Sequence, residues 1–477
     1  MRYNTPMSAT VRTRIAPSPT GIAHVGTLYM ALFNYAFAKQ HEGQFIVRIE
    51  DTDRSRFMEG AEDVIFESLR WANIPIDETV PQQEPYGPYR QSERLPIYKQ
   101  YAEQLIAEGK AYYCFATAEE LKEMREDQQR RGLPPKYDGR YRDYPLEEAK
   151  KRIEAGEQHV VRMRVPEGET TWTDLIRQDV TISHEQIDDQ VIMKSDGFPT
   201  YHLAVVVDDH LMQITHVIRG EEWISSTPKH ILLYQMFSWE VPTFAHMPLL
   251  RNPDKSKLSK RKNDVSIVSY KEKGYLPEAL LNFLMLMGWS HPDKKEIISL
   301  EDFIQTFTME RMQTTGPIFD VEKLNWMNGK YIREELSFDE LKQRLQPYLP
   351  SDFPLDKLDA ILPLVLERLV TLKDMEELTS FFYRDITVDE NDLYKKTTPE
   401  LVKDQLQLTA QALTAVTDWT VPNIEAAIRT LQEQQDWKKS QYFMMVRVAL
   451  TGKKATPPLF ETMEVLGKEK TIARLRR

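Results

Sequence analysis

The sequence predicts an α/β protein: a doubly wound parallel sheet, interrupted by an inserted α+β domain and followed by an all-α region. Three observations carry this expectation. Residues 11–50 run strand, helix, strand, the order of a βαβ unit. Roughly a hundred residues after Leu95, too many for an ordinary connection, contain strand and helix patterns of their own. From Glu334 onward the apolar residues recur at helical spacing, with few strand candidates.

Val11–Ile15 reads as the first strand, Leu28–Gln40 as the helix and Gln44–Ile49 as the second strand. The second strand follows Gly43 and is rich in apolar β-branched residues, as a covered parallel sheet requires. Between first strand and helix lies Pro17-Ser18-Pro19-Thr20-Gly21-Ile22-Ala23-His24-Val25-Gly26-Thr27. Its prolines forbid regular structure, while Gly21 and Gly26 permit a tight turn close to a ligand. A loop that opens a helix directly after a strand presents backbone N–H groups and a positive dipole end to a phosphate. His24 and Thr27, three apart, share one side of the first turn. The second strand leads into Glu50-Asp51-Thr52-Asp53-Arg54, which sets carboxylates at the crevice where such sheets bind ligands. The plainer reading of these acids is a polar loop capping the next helix.

Pro81, Pro85 and Pro88 mark a change of character, followed by a helical run over Leu95–Glu108 and a strand-like Val160–Val165. The sheet pattern then resumes. Tyr201–Val207 reads as a continuous apolar strand before Asp208 and Asp209, and Ile214–Ile218 as another strand before Arg219-Gly220-Glu221-Glu222. Thr227 is the expected N-cap of the next helix, with Pro228 at its first position. A strand over His246–Leu250 and a turn at Asn252-Pro253-Asp254 lead into Lys255-Ser256-Lys257-Leu258-Ser259-Lys260-Arg261-Lys262. Arg251–Lys273 carries eight Lys or Arg against three acids, reversing the charge of the chain. A solvated basic loop is the ordinary meaning of such a run. Pro277 opens an apolar helix through Met287, and Leu355–Leu372 and Pro422–Gln434 are further helices.

With 477 residues the chain exceeds a single core, and a net charge of −11 excludes a wholly basic nucleic-acid coat protein while allowing a local basic face. Cys114 is the only cysteine, so no intramolecular disulfide can form. No run approaches the roughly 18 apolar residues of a membrane span, and Met1–Thr10 lacks a signal-peptide core. A cytoplasmic protein is expected.

Taken in order, the Pro-Ser-Pro-Thr-Gly-x-x-His-x-Gly-Thr loop, Arg48-Ile49-Glu50-Asp51-Thr52-Asp53-Arg54 and Lys257-Leu258-Ser259-Lys260-Arg261 resemble the signatures of class I aminoacyl-tRNA synthetases. More narrowly the chain resembles bacterial-type glutamyl-tRNA synthetases. Gly87–Arg94, Pro199–His202, Val217–Glu222 and Trp326–Ile332 also match, so the resemblance is strong over residues 12–332 and weaker beyond. The first motif ends in Thr27 where the broad class has His, a form many glutamate enzymes share.

The resemblance implies a Rossmann-type catalytic domain, a reaction on L-glutamate and ATP with Mg²⁺, and transfer of glutamate to tRNA(Glu). It assigns His24, Thr27, Lys257 and Lys260 to catalysis. ATP would also meet Pro17, Ser18, Gly26 and Glu222, its phosphates held near the N–H groups of Gly26 and Thr27. Glutamate would meet Arg14, Ile15, Ala16, Ser18, Glu50, Tyr201, Val205 and Arg219. A guanidinium can grip a carboxylate through two hydrogen bonds, which suits Arg14 and Arg219, and Glu50 would take the α-amino group. The glutamine enzymes carry Asn in place of Asp53, so Asp53 favours glutamate. Some relatives hold zinc through a Cys-x-Cys pair; here Tyr113-Cys114-Phe115-Ala116 with Tyr137 and Tyr141 cannot supply four ligands, and no zinc is expected.

The expected division is 11–95 and 201–255 for the two catalytic halves and 96–200 for an inserted tRNA acceptor-binding domain. Residues 256–332 would contact the tRNA stem. An anticodon-binding region would occupy 333–477, in two parts divided near 380. Arg368, Trp437 and Arg447 are candidates there for reading tRNA, with ordinary helix surface or core as the plainer reading of each. A monomer is expected. Alternatives are a form that also charges tRNA(Gln), a glutaminyl enzyme, and a catalytically silent tRNA-binding relative.

Overall fold

A computed structural model describes residues 10–21, 23–53, 56, 58–259, 264–395 and 397–476. Their strands are β1 (Arg12–Ile15), β2 (Gln44–Val47), β3 (Ala111–Cys114), β4 (Val160–Met163), β5 (Glu169–Asp174), β6 (Gln178–Ser183), β7 (Val191–Met193), β8 (His216–Gly220) and β9 (Thr243–Met247). The chain divides into two units, Met1–Ser269 with Leu280–Asp320 and Tyr270–Ala279 with Val321–Arg477.

In the first unit β1 pairs parallel with β2, Arg12 opposite Gln44 through Ile15 opposite Val47. The crossover is the helix Val25–Gln40, buried on almost every side. One face meets the sheet, and another presents Phe33 edge-on to Phe303 and Phe307 at centroid distances of 5.3 and 5.2 Å. Burying each such side chain stabilises by about 1.5–3 kcal/mol. The helix returns to the sheet through Gly43, where a Cβ would lie 2.1 Å from the Val11 carbonyl oxygen. Only glycine allows that approach.

The strand β8 pairs parallel with β9, from His216 opposite Thr243 to Gly220 opposite Met247. Thr215, just before β8, donates its N–H to Arg12 O at 3.0 Å, which sets β8 beside β1. β1 thus lies between β2 and β8, and the direction of winding reverses there. At such a switch point the helices diverge and leave a crevice at the carboxyl ends of the strands. The hairpin β5–β6 joins the far side of this sheet, Asp174 pairing with Phe244 of β9. Within 96–200 the strands β3, β4 and β7 form a separate antiparallel sheet.

Tyr201–Val207 is not the expected strand but the start of a helix, Tyr201–Leu211. A continuous apolar run has no periodicity to separate a buried strand from a helix buried all round, and Leu203–Asp209 are all buried. Asp208 and Asp209 therefore lie inside the protein rather than at a strand end. The strand expected over His246–Leu250 starts earlier, as Thr243–Met247. The next helix begins at Thr227 with Ser226 as its cap, which releases the Thr227 hydroxyl for another contact.

The second unit is helical among its described residues. Its core gathers Leu406, Leu413, Ile424, Ile428, Tyr442 and Leu450. The stretch expected as one helix over Leu355–Leu372 is broken into a 3-10 turn, the helix Leu358–Val365 and a second turn Leu366–Arg368. Pro363, which lacks an N–H, lies inside the short helix. Among the described residues no helix is long and apolar enough to cross a membrane.

Candidate active site

A cavity of about 1030 Å³ opens at the switch point, where the ends of β1 and β8 converge. β1 and its loop contribute Arg14, Ile15, Ala16, Pro17 and Ser18. The turn into the first helix adds His24, Gly26 and Thr27, and β2 leads to Glu50. Tyr201, Arg219, Glu222 and Lys257 complete the set of expected residues on the wall. Val205 does not reach it: this side chain is 1% exposed and packs in the apolar core beneath. Val205 follows Tyr201 by one turn on the same helix face and so sits deeper, within the core against which Tyr201 packs. Lys260 lies outside the described residues.

At one end of the cavity Arg14 grips Asp209 through Nε and Nη2, at 3.0 and 2.9 Å. Arg48 donates to the same carboxylate at 2.7 Å and to Glu50 at 3.1 Å. Asp208, one residue before, accepts from Arg94 at 2.7 Å, Gln91 at 2.9 Å and Tyr98 at 2.8 Å. Burial opposes the charge on Arg14 and on Asp209, but their pairing outweighs it; the Arg14 pKa is raised and that of Asp209 lowered. Glu50 behaves differently. Burial lifts its pKa to about 7 even though Arg48 and Arg14 pull it down.

Across the cavity Arg219 is buried as deeply, yet no carboxylate touches it among the described residues. Its Nε donates to His246 Nε2 at 3.1 Å and its Nη1 to His230 Nδ1 at 3.0 Å. Nη2 donates to the Thr227 hydroxyl at 2.8 Å, and the Tyr201 hydroxyl lies 3.5 Å from Nη1. Burial lowers the Arg219 pKa, although guanidinium stays protonated at any ordinary pH. The Tyr201 ring packs on Trp223 at 4.3 Å, forming an aromatic wall. A buried cation with no carboxylate in contact among the described residues, a neighbouring phenol and a carboxylate across the space suit a small zwitterion bearing a second acidic group.

The other end is built from loops. His24 caps its helix, Nδ1 accepting from Gly26 N–H at 2.8 Å, so the neutral ring carries its proton on Nε2. Thr27 N–H donates to His24 O at 2.8 Å. Both amides expected to hold phosphates are thus engaged within the capping turn. Gly26 has His24 Nδ1 3.0 Å from where a Cβ would stand. The basic segment is anchored on both sides of residues 260–263. Before them, Leu258 N–H donates to Leu250 O at 3.0 Å; after them, Val25 N–H donates to Val265 O at 2.8 Å and Ile267 N–H to Ala23 O at 3.1 Å. Lys257 Nζ stands 3.7 Å from Glu222 on the exposed rim.

Arg48, Asp209, His230, His246 and Thr227 belong to the site although none was singled out from the sequence for a role in it. Arg48 sits inside the second motif, and Asp209 was visible only as an acid beside an apolar run. The histidines carried no signal in spacing. Cys114 lies away from the cavity in an apolar cluster, its Sγ donating to Tyr137 Oη at 3.3 Å. Among the described residues no group of three His, Cys, Asp or Glu is arranged to hold a metal ion.

In the second unit Arg368 is exposed, while Trp437 is half-buried against Tyr442 at 4.9 Å. Arg447 donates to the Pro457 carbonyl at 2.7 Å, and its pKa is lowered by burial and by the neighbouring charge of Arg368. Two of the three candidates therefore converge.

Residues 10–326 match the family described as tRNA synthetases class I (E and Q), catalytic domain, and residues 340–477 match an anticodon binding domain. A glutamate–tRNA ligase of Acidothermus cellulolyticus is 51% identical, with 98% of this chain and 95% of that protein covered. One from Thermus thermophilus is 49% identical over 98% and 99% of the two chains. The crystal structure of a glutamate tRNA ligase from Elizabethkingia meningosepticum, in complex with its amino acid, superposes with a TM-score of 0.88 at 36% identity, covering 98% of each chain. With a parallel-sheet catalytic domain, a switch-point cavity and these matches along nearly all its length, the chain belongs to the class I tRNA synthetases of the glutamate and glutamine type.

Proposed function

We propose that this protein is a glutamate–tRNA ligase that activates L-glutamate with ATP and transfers it to the terminal adenosine of tRNA(Glu). The observation that carries the choice of glutamate is the buried Arg219, which has no carboxylate partner among the described residues and faces Glu50 across the cavity. The substrate side chain pairs with Arg219 and with the Tyr201 hydroxyl, while ionised Glu50 holds the α-ammonium. Arg14, already matched by Asp209, offers its remaining nitrogen as a donor rather than a free charge. The amide of glutamine would leave a buried guanidinium uncompensated, and a site built this way discriminates by roughly 10⁴–10⁵-fold.

In the first step an α-carboxylate oxygen of glutamate bonds to the α-phosphorus of ATP, the bond to the β-phosphate bridging oxygen breaks, and pyrophosphate leaves. In the second the hydroxyl of the terminal adenosine takes the acyl group and AMP leaves. These steps need positioning and charge neutralisation more than a protein nucleophile. His24 donates to the phosphates from Nε2, with Thr27 beside it and Ser18, Pro17 and Gly26 shaping the floor. Lys260 and Lys257 bring positive charge from the basic loop, and the anchoring of that loop to Ala23 and Val25 supports this reading. Glu222 lies at the nucleotide rim. Mg²⁺ accompanying the nucleotide would neutralise phosphate charge; among the described residues no group of three His, Cys, Asp or Glu is arranged to hold it.

The tRNA acceptor end is assigned to 96–200, its stem to 256–332 and its anticodon to 333–477, where exposed Arg368 beside Arg447 suits phosphate or base-edge contact. A monomeric cytoplasmic protein is the expected state. The deciding experiment is aminoacylation of purified tRNA(Glu) and tRNA(Gln) with glutamate and glutamine supplied separately. Glutamate alone should be charged, onto tRNA(Glu). Lys260→Ala should lower adenylate formation by about 10²–10³-fold with tRNA affinity retained. Charging of glutamine, or unchanged kinetics in that variant, would refute the respective assignment.

A further inference from the structure

Arg219 is held by groups that are neutral. Arginine can only donate, so His246 Nε2 and His230 Nδ1 must both present lone pairs to it. The proton of His246 is then on Nδ1, which donates to Asp174 Oδ2 at 2.5 Å. The proton of His230 is on Nε2, which donates to His202 Nδ1 at 3.0 Å. Asp174 is itself fixed, accepting at Oδ1 from the N–H groups of Ile176 and Arg177 at 3.0 Å and of His246 at 3.2 Å. Every ring in this chain is buried or nearly so, and burial lowers the pKa of His246, His230 and His202 alike.

The consequence is one of charge. Asp209 sits directly on Arg14 and occupies two of its nitrogens. Asp174 acts on Arg219 only through an imidazole, so it orients the guanidinium without placing a negative charge in contact with it. Coulomb attraction weakens with each added ångström, and a carboxylate one ring away competes poorly with one in contact. We propose that His246, set by Asp174, and His230, backed by His202, are positioning residues that hold Arg219 through neutral acceptors and keep its charge available for the side-chain carboxylate of the substrate. This rests on the reading of Arg219 as the glutamate-binding cation.

The test uses the full chain and measures glutamate and ATP KM in ATP–pyrophosphate exchange with tRNA present. His246→Gln places an amide oxygen where Nε2 stood and should stay near wild type. His246→Glu places a carboxylate on Arg219 and should raise the glutamate KM by about 10- to 100-fold, the loss of one charge-assisted contact, with the ATP KM unchanged. His230→Asp against His230→Asn makes the same comparison from the other side if His246→Glu fails to fold. Equal glutamate KM values within the folded pair overturn the proposal. Arg219→Gln separates the two levels. An unchanged glutamate KM in that variant removes the reading of the pocket and this proposal with it. A raised KM there, alongside equal His246 variants, overturns the positioning role alone.

Discussion

Arg14 and Arg219 stand on opposite walls of one cavity and are compensated in opposite ways. Around Arg14 the buried charges balance: Arg14, Arg48 and Arg94 meet Asp208, Asp209 and Glu50 through contacts between 2.7 and 3.1 Å. Around Arg219 they do not, since imidazoles and a hydroxyl take the place of carboxylates. A buried ion pair adds little net stability but is costly to break, so the first neighbourhood acts as scaffold. An uncompensated buried cation destabilises the folded chain until an anion arrives, which suits the second to binding. Strain of this kind is expected where function requires it.

The comparison can be broken hardest at Asp209. Asp209→Ala leaves Arg14 and Arg48 facing each other without their shared anion and should destabilise the first unit by about 3–5 kcal/mol, read from urea unfolding. A stability loss no larger than that of Arg219→Gln would erase the distinction between scaffold and binding charge.

Glu50 lies at the boundary of the two neighbourhoods and should show a smaller effect. Its pKa of about 7 in the folded chain lies above the ordinary 4.5, so the folded state holds this proton more tightly than the unfolded one. The stability it contributes is present below the ordinary carboxylate range and is lost as pH rises through about 7. Binding of an α-ammonium needs the ionised form and runs the opposite way. The kcat/KM for glutamate should therefore fall about tenfold per pH unit below the Glu50 pKa, and Glu50→Gln should flatten that limb while lowering the plateau. A limb that persists in Glu50→Gln would assign it to another group.

The smallest effect belongs to Lys257 on the rim. Its 3.7 Å pair with Glu222 is solvent-exposed, so Lys257→Gln should change stability by only about 0–1 kcal/mol in thermal melts, yet raise the ATP KM. A large stability loss there would place Lys257 in the scaffold instead.

Much of this was legible in the chain before any fold was known. The βαβ order of residues 11–50 follows from proline, glycine and apolar spacing, because these act over a few residues. The signature loops gave His24, Glu50, Arg219 and Lys257, all of which meet at the cavity. Other features lay beyond local reasoning. Tyr201–Leu211 is a helix whose residues Leu203–Asp209 are all buried, and a continuous apolar run carries no periodicity to tell such a helix from a covered strand. Val205 lies in the core because the helix sets it one turn beyond Tyr201 on the same face. Val265 and Ile267, which follow the basic loop, gain their meaning from pairing with Val25 and Ala23, more than two hundred residues away in sequence.

By itself, then, the sequence determined where the chain turns, which residues could carry charge to phosphate and carboxylate, and which family it resembles. Tertiary structure alone decided which charges are cancelled. Asp209 reaches Arg14 across 195 residues, and His246 and His230 reach Arg219 from two further elements. Electrostatic compensation depends on distances through space and on exclusion of water, and neither is set until the strands and helices have packed.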